Sequence, residues 1–477
     1  MITQRQLHQI LLQPTDVLFF RDGRPMSGSL VGHTAAWPLP DVTNHALHAA
    51  LHRADLERQT GKKLHTHRRG RSGNYSEEET HRDRKFGSLL TAGPFPVDAG
   101  GGWFFPRPKD AQLSGSVAVT LRPVCSLAKE EEGDTWGNSS LPDPLEYAVA
   151  NTQSPDKDAG GEPWISLAEF NAYLRDDTLS PPVDDRVPRF LRDADLADIE
   201  HTIGIGIDPQ TETQDKANFY SAHYLRLREG FRLGLFAEAM DKIGGDLNQQ
   251  RDLFKVLFND HPQSIIVGGQ QRICSAHCSN ATKPLALPRG LSAAIEFHRL
   301  PHGSFAVKWV LLTPGIWPEI PGGMSTRGTE RRHHRGGWLP NWVCPETSDV
   351  LLETVSEEER RCRRSLNAAG KGYESKPGRM ARLVAAVVPK PIPVTGWALA
   401  NDSDRADGGA KSTHLAVPAG SVYYFEAASA EAAAQLAATL NWHGSRPGTE
   451  IKNRRSTLMG EKGFGLGVCG TWKFYGT

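Results

Sequence analysis

Apolar residues in this chain come in short strand-like pieces, Trp309-Val310-Leu311-Leu312 being typical, and 47 glycines and 32 prolines punctuate them. Pieces of that length build sheets joined by turns and long connections, and they fall far below the ~18 apolar residues that span a bilayer. With 477 residues the chain is too long for one ordinary core, so roughly two to three domains are expected. Six cysteines are too sparse for a disulfide scaffold and agree with a reducing compartment. Met1 is followed by polar residues with no apolar stretch of the secretory kind, so a cytoplasmic setting is expected. Formal net charge is zero, so any surface for a polyanion has to be local.

Such local charge exists. Basic residues cluster at 67–71, 81–85, 327–335, 360–364 and 452–455, mostly in polar, Gly-containing stretches that read as exposed loops. Several of these runs on one chain favour a polyanionic partner.

The order of elements is legible in outline. An opening strand ends near Phe20, and a Pro-rich entry at Trp37-Pro38-Leu39-Pro40 leads to a helix capped by Asp41 or Thr43 and running to about Arg58. Leu47, Ala50, Leu51 and Ala54 mark its apolar face, with His45, His48 and His52 opposite. Residues 200–228 read as a long hairpin, alternating at Ile203, Ile205 and Ile207, polar at its tip, and continuing from Phe219 to Leu227. The clearest pattern is C-terminal: a strand Ser421 to Glu426, an alanine-rich helix from about Ala430 to Leu440, and a strand Gly465 to Phe474. Strands alternating with single helices predict an α+β chain of two ferredoxin-like domains, 1–260 and 261–477, enlarged by insertions near 60–85, 126–165 and 320–375.

Arg21-Asp22-Gly23-Arg24 closes the first strand in a tight turn. Asp-Gly gives the backbone its freedom, and two guanidinium forks leave from nearby points. Local physics leaves two readings open: an anion site, or a surface turn whose arginines pair with Asp16 or Asp22. Lys462-Gly463-Phe464-Gly465-Leu466-Gly467 lacks the spacing of a nucleotide-phosphate loop; its small residues permit close backbone approach, to phosphates of a polyanion or to a neighbouring strand. Cys274-x-x-His277-Cys278 with Cys344 and Cys362 is too irregular for a zinc site, and no metal or cofactor is expected.

Taken in order, several motifs resemble one family. Pro14-x-Asp16-x-Leu18-Phe19-Phe20-Arg21-Asp22-Gly23-Arg24-Pro25, then Trp37 to Pro40, the Ile203 to Asp208 segment, Gly268-Gly269-x-x-Arg272, Leu312-Thr313-Pro314, Gly396-Trp397, Val417 to Ser421 and Gly463-Phe464-Gly465-x-Gly467 are similar to the third subunit of Cmr-type (type III-B) CRISPR effector complexes, RAMP proteins of the Cas-five-like group. The chain departs from that pattern at Gln270, where the family often has Glu, and at His48, which aligns with a helix arginine.

The resemblance implies a non-catalytic subunit that grips the 5′ tag of the guide RNA (crRNA) and uses the hairpin as a thumb. Its expected partners are the large polymerase-like subunit and the backbone RAMP subunits, with target RNA reached indirectly. On that reading the RNA-binding residues are Arg21, Asp22, Gly23, Arg24, His48, Thr213, Asn218, Phe219, Tyr220, Gly268, Gly269, Arg272, Lys462, Gly463 and Gly465. Phe219 and Tyr220 offer wedges against bases, although strand aromatics are more often core and that reading is favoured. A competing reading is a RAMP-type, metal-independent endoribonuclease acting on precursor crRNA, since the chain offers 18 histidines.

Overall fold

The computed structural model describes residues 7–20, 31–32, 35, 37–54, 89–114, 117–125, 145–150, 161–176, 189–207, 214–242, 250–282, 284–324, 330–331, 333–352, 381–398, 409–445 and 450–476. These form a mixed α/β fold with few helices and mostly antiparallel sheets. In chain order the principal elements of the N-terminal half are β1 (His8–Pro14), α1 (Pro40–Arg53), β2 (Leu90–Val97), α2 (Leu167–Leu174), β3 (Ala197–Ile207), β4 (Gln214–Leu227) and β5 (Arg232–Glu238). They are followed by α3 (Leu253–Phe258), β6 (Gln263–Ile266), β7 (Ile273–Asn280), β8 (Phe305–Leu311), β9 (Ala381–Val387), β10 (Val422–Ala427), α4 (Ala430–Leu440) and β11 (Gly467–Gly470).

Two antiparallel sheets dominate. The first has the order β6-β7-β1-β5-β2, the second β9-β10-β8-β11. Because β6 and β7 pair into the first sheet, that sheet continues beyond the domain boundary expected at residue 260. β3 and β4 pair antiparallel as the long hairpin expected from the alternation.

Alternation along the strands sets the layers. On β5, Leu233, Leu235 and Ala237 pack with Leu47 of α1 and Phe254 of α3, while Phe236 faces the opposite side. On β10, Tyr423 and Phe425 pack with Leu436 and Leu440 of α4, while Val422 and Tyr424 face a central layer shared with Phe95, Phe105 and Phe170. Apolar faces of both sheets therefore contribute to one inner core.

Local chemistry explains the helix ends. α1 starts at Pro40 with Asp41 in its first turn, where a missing N–H costs nothing and a carboxylate favours the helix dipole. Thr43 does not cap it; its hydroxyl donates to the Pro40 carbonyl at 3.1 Å. The helix ends at Arg53, so Ala54 is exposed beside the buried Leu47, Ala50 and Leu51, and residues 55–58 lie outside the described residues. α4 has the bounds its pattern predicts, and the Ser429 side chain accepts from Ala432 N.

The basic run 452–455 is more than a solvated loop. Asn453 Nδ2 donates to the carbonyls of Ala438 (2.9 Å) and Asn441 (2.8 Å), and Arg455 Nε donates to that of Thr439. These side chains satisfy acceptors that the last turn of α4 leaves without helical partners.

The same parity that sorts β8 into Val307, Trp309 and Leu311 on one side puts Lys308 on the inner side, 1% exposed. Its ammonium donates to the Tyr173 carbonyl at 3.0 Å and lies 3.6 Å from the Tyr173 ring centroid. Asp110, fully buried, accepts from the hydroxyls of Tyr173 (2.7 Å) and Tyr424 (2.6 Å). Burial pushes the Asp110 carboxyl up and the Lys308 amine down, and their mutual attraction opposes both shifts. Removing one member strands the others in the core, so Asp110→Ala is expected to lower stability by about 3–5 kcal/mol, read from urea unfolding. A loss below about 1 kcal/mol, the value of an exposed ion pair, would show that this cluster does not join the halves.

Candidate nucleic-acid interface

Three segments far apart in sequence meet where β1 ends. Leu18 and Leu225 of β4 exchange backbone N–H···O bonds, each 2.8 Å. The Phe19 carbonyl accepts from Gly269 N at 2.9 Å, and the Phe19 ring lies 5.7 Å from that of Tyr224. Ala35 N donates to the Phe20 carbonyl at 2.7 Å, and Val31–Gly32 pairs in parallel with Ser221 and Ala222 of β4. The chain thus leaves the sheet after Pro14, is held to the hairpin at Leu18, and pairs with the hairpin again at Val31–Gly32.

The Gly268-Gly269-x-x-Arg272 spacing has a geometric cause. β6 and β7 are joined by a tight reversal in which Gln270 (φ 54°) and Gln271 (φ 53°) are both left-handed, with Arg272 N directed to the Gly269 carbonyl at 3.4 Å. Gly268 has φ 78°, and a Cβ there would stand 2.5 Å from the Phe19 carbonyl oxygen. No side chain fits between this reversal and Phe19-Phe20.

Arg272 is held from three directions. Its guanidinium lies 4.9 Å from the Tyr224 ring centroid, Nη2 is 3.4 Å from Gln270 Oε1, and Nη1 is 3.7 Å from Asp16 Oδ2. Tyr224 Oη also donates to Gln270 Oε1 at 2.8 Å. A fixed, partly exposed guanidinium on an aromatic face is suited to phosphate oxygens or to a stacked base.

The other expected residues divide into groups. Gly268, Gly269 and Arg272 are brought directly behind Phe20, the residue before Arg21-Asp22-Gly23-Arg24; those four, and Thr213, lie outside the described residues. Asn218, Phe219 and Tyr220 belong to β4, where Phe219 pairs with Ile205 and Tyr220 with Gly204; for these three only the backbone is described. Asp16, offered in sequence as a partner for the turn arginines, is engaged by Arg226 (2.9 Å) and Arg272.

A second group gathers at the start of α1. A Cβ on Gly463 would lie 3.0 Å from the Thr91 carbonyl oxygen and 3.3 Å from Pro40 Cβ, and one on Gly465 would lie 2.0 Å from Ser456 N. The close approach those glycines permit is therefore to protein. Lys462 faces Asp41; burial raises the Asp41 carboxyl and lowers the Lys462 amine, and each opposes the shift of the other. His48 is half-buried two turns along the helix from Asp41. Among the described residues no group of three or more His, Cys, Asp or Glu is placed to hold a metal, and Cys274 and Cys278 point to one side of β7 with His277 on the other.

Sequence reasoning missed Tyr224 and Arg226 as members of the site, and offered Asp16 only as a partner for the turn arginines. The signal was the period of two that puts Tyr224 and Arg226 on one face of β4.

The family model of the CRISPR-associated protein Cas_Cmr3 matches residues 10–472. The chain belongs to the Cas_Cmr3 family. This is the family that its ordered motifs resemble. Among solved structures, the Cas_Cmr3 chain is similar to one in the type III-B Cmr-beta complex bound to cognate target RNA, at 12% identity and TM-score 0.37, covering 87% of this chain and 86% of that one. A chain of the Csm1-Csm4 cassette in complex with cA4 is similar at 12% identity and TM-score 0.27, over 70% of this chain and 96% of that one. No curated protein matches.

The Gly268 contact makes a direct forecast. Gly268→Ala adds a Cβ at a positive φ against a backbone oxygen, so it is expected to cost about 1–3 kcal/mol in urea unfolding and to loosen the reversal that carries Arg272. An alanine variant as stable as the parent would show that the reversal does not depend on this contact.

Proposed function

We propose that this Cas_Cmr3 chain is a non-catalytic subunit of a type III-B effector complex that holds the 5′ tag of the crRNA, docks on the large polymerase-like subunit and so contributes to antiviral defence. The observation that carries the reading is the junction of Phe19-Phe20, the Gly268 to Arg272 reversal and Tyr224 of the hairpin, immediately before the arginine turn. Single-stranded RNA needs phosphate partners and flat stacking surfaces together, and Arg272 on Tyr224 supplies both behind Phe20, the residue that precedes Arg21 in sequence. In this reading the hairpin is the thumb beside the backbone subunits, target RNA is reached only through the guide, and the complex works in the cytoplasm. No helix among the described residues is long and apolar enough to cross a membrane.

Two ferredoxin-like halves belong to the same reading. Counting β1, β2, β5 and β7, the first sheet has the order fourth, first, third, second, with α1 after the first strand and α3 after the third. Counting β8 to β11, the second sheet has the same order, fourth, first, third, second, read from its β11 edge, with α4 after its third strand.

Replacing Arg21 and Arg24 together with Ala is expected to reduce crRNA occupancy of the assembled complex. It should also flatten the dependence of RNA affinity on salt, by about 0.7 in log–log slope for each phosphate no longer neutralised. An unchanged salt titration would overturn the grip. Incubating the pure chain with repeat RNA in chelator tests the enzymatic alternative, since specific cleavage would identify a metal-independent endoribonuclease.

A further inference from the structure

We propose that Arg226 and Arg272 form a phosphate-binding pair whose place the Asp16 carboxylate now fills, so that an RNA phosphate is taken up by exchange with Asp16. This rests on the RNA-holding reading and extends it to Arg226 on the hairpin, which no quoted motif includes, and to a competing role for Asp16.

The geometry is that of one anion between two guanidinium groups. Arg226 Nη2 is 2.9 Å from Asp16 Oδ1, and Arg272 Nη1 is 3.7 Å from Asp16 Oδ2. The two arginines come from different elements, β4 and the β6–β7 reversal, yet they converge on the same carboxylate. A phosphate offers the same bridging oxygens with more charge, and guanidinium forks match it well.

Both cations remain positioned when Asp16 turns away. Arg226 is also paired with Glu200, across the hairpin on β3, with Nη2 3.3 Å from Oε2. Arg272 keeps the Tyr224 ring and Gln270, and its buried Nε–H has no acceptor among the described residues. Asp16 is the movable member. Its side chain is 53% exposed, and the backbone beside it is pinned because Thr15 N donates to the Ile273 carbonyl at 3.1 Å. Exchange therefore needs a side-chain rotation and the loss of an exposed ion pair, which water makes weak.

Position fits the ligand. Asp16 lies two residues before Leu18, which bonds Leu225 of the hairpin, so a phosphate bound here sits at the junction of β1, the β6–β7 reversal and the hairpin. Asp16 then acts as an electrostatic threshold, excluding weak single anions while a strand gripped at several points displaces it.

The test uses the pure full-length chain and a fluorescein-labelled single-stranded RNA of mixed sequence, followed by anisotropy across a KCl series. Asp16→Asn is expected to bind about three- to tenfold more tightly at low salt and to steepen the salt slope by about 0.7, the value of one neutralised phosphate. Arg226→Ala is expected to weaken binding, and Asp16→Asn combined with Arg226→Ala to lose the gain. Should Asp16→Asn bind no more tightly than the parent while Arg272→Ala loses affinity, the exchange is overturned and the RNA-holding reading stands. An unaffected Arg226→Ala overturns the pair in the same way. If neither the parent chain nor the assembled complex binds RNA, the RNA-holding reading fails and the pair with it.

Discussion

The meeting of the two sheets depends on a buried carboxylate. Asp110 belongs to the N-terminal half, and the hydroxyls it accepts come from Tyr173 in that half and Tyr424 in the other. Lys308, on the second sheet's β8, sits on Tyr173 and balances the charge. A polar cluster at such depth tolerates few alternatives, because any slip leaves a charge or a hydroxyl without a partner in a low-dielectric core. Apolar side chains around it, such as Phe95, Phe170, Val310 and Trp472, supply the driving force. The cluster adds the condition that the two sheets meet in one register.

That condition was not legible in the sequence. In Phe305-Ala306-Val307-Lys308-Trp309-Val310-Leu311 the lysine interrupts an apolar strand, and alternation gives its side of the strand without saying that the side is inside. What could be read was whatever local chemistry determines. α4 was legible to the residue because alanine-rich periodicity and the Ser429 cap agree, and the long hairpin because apolar alternation resumes after a polar tip. The run 452–455 was misread for the opposite reason. Its side chains serve the C-terminal carbonyls of α4, and their partners are set by the tertiary fold.

The candidate interface shows the same division. The Gly268-Gly269-x-x-Arg272 pattern was visible, and its cause is a reversal with two left-handed glutamines pressed against the Phe19 carbonyl. The ring beneath Arg272 was not visible, since Tyr224 is one aromatic among several along β4 and only the fold selects it. The C-terminal glycines carried an open choice between RNA and protein. Contacts with Thr91, Pro40 and Ser456 account for their small size.

The bond from Ala35 to Phe20 ties the entrance and exit of the segment between them to one point of the sheet. The length of that segment is thereby uncoupled from the register of β1 and the placement of α1. Doubling the length of such a tethered segment costs only about 0.6 kcal/mol in closure entropy. A change in the number of residues between Phe20 and Val31 therefore leaves in place the contacts that fix β1, α1 and the Val31–Gly32 pairing with β4.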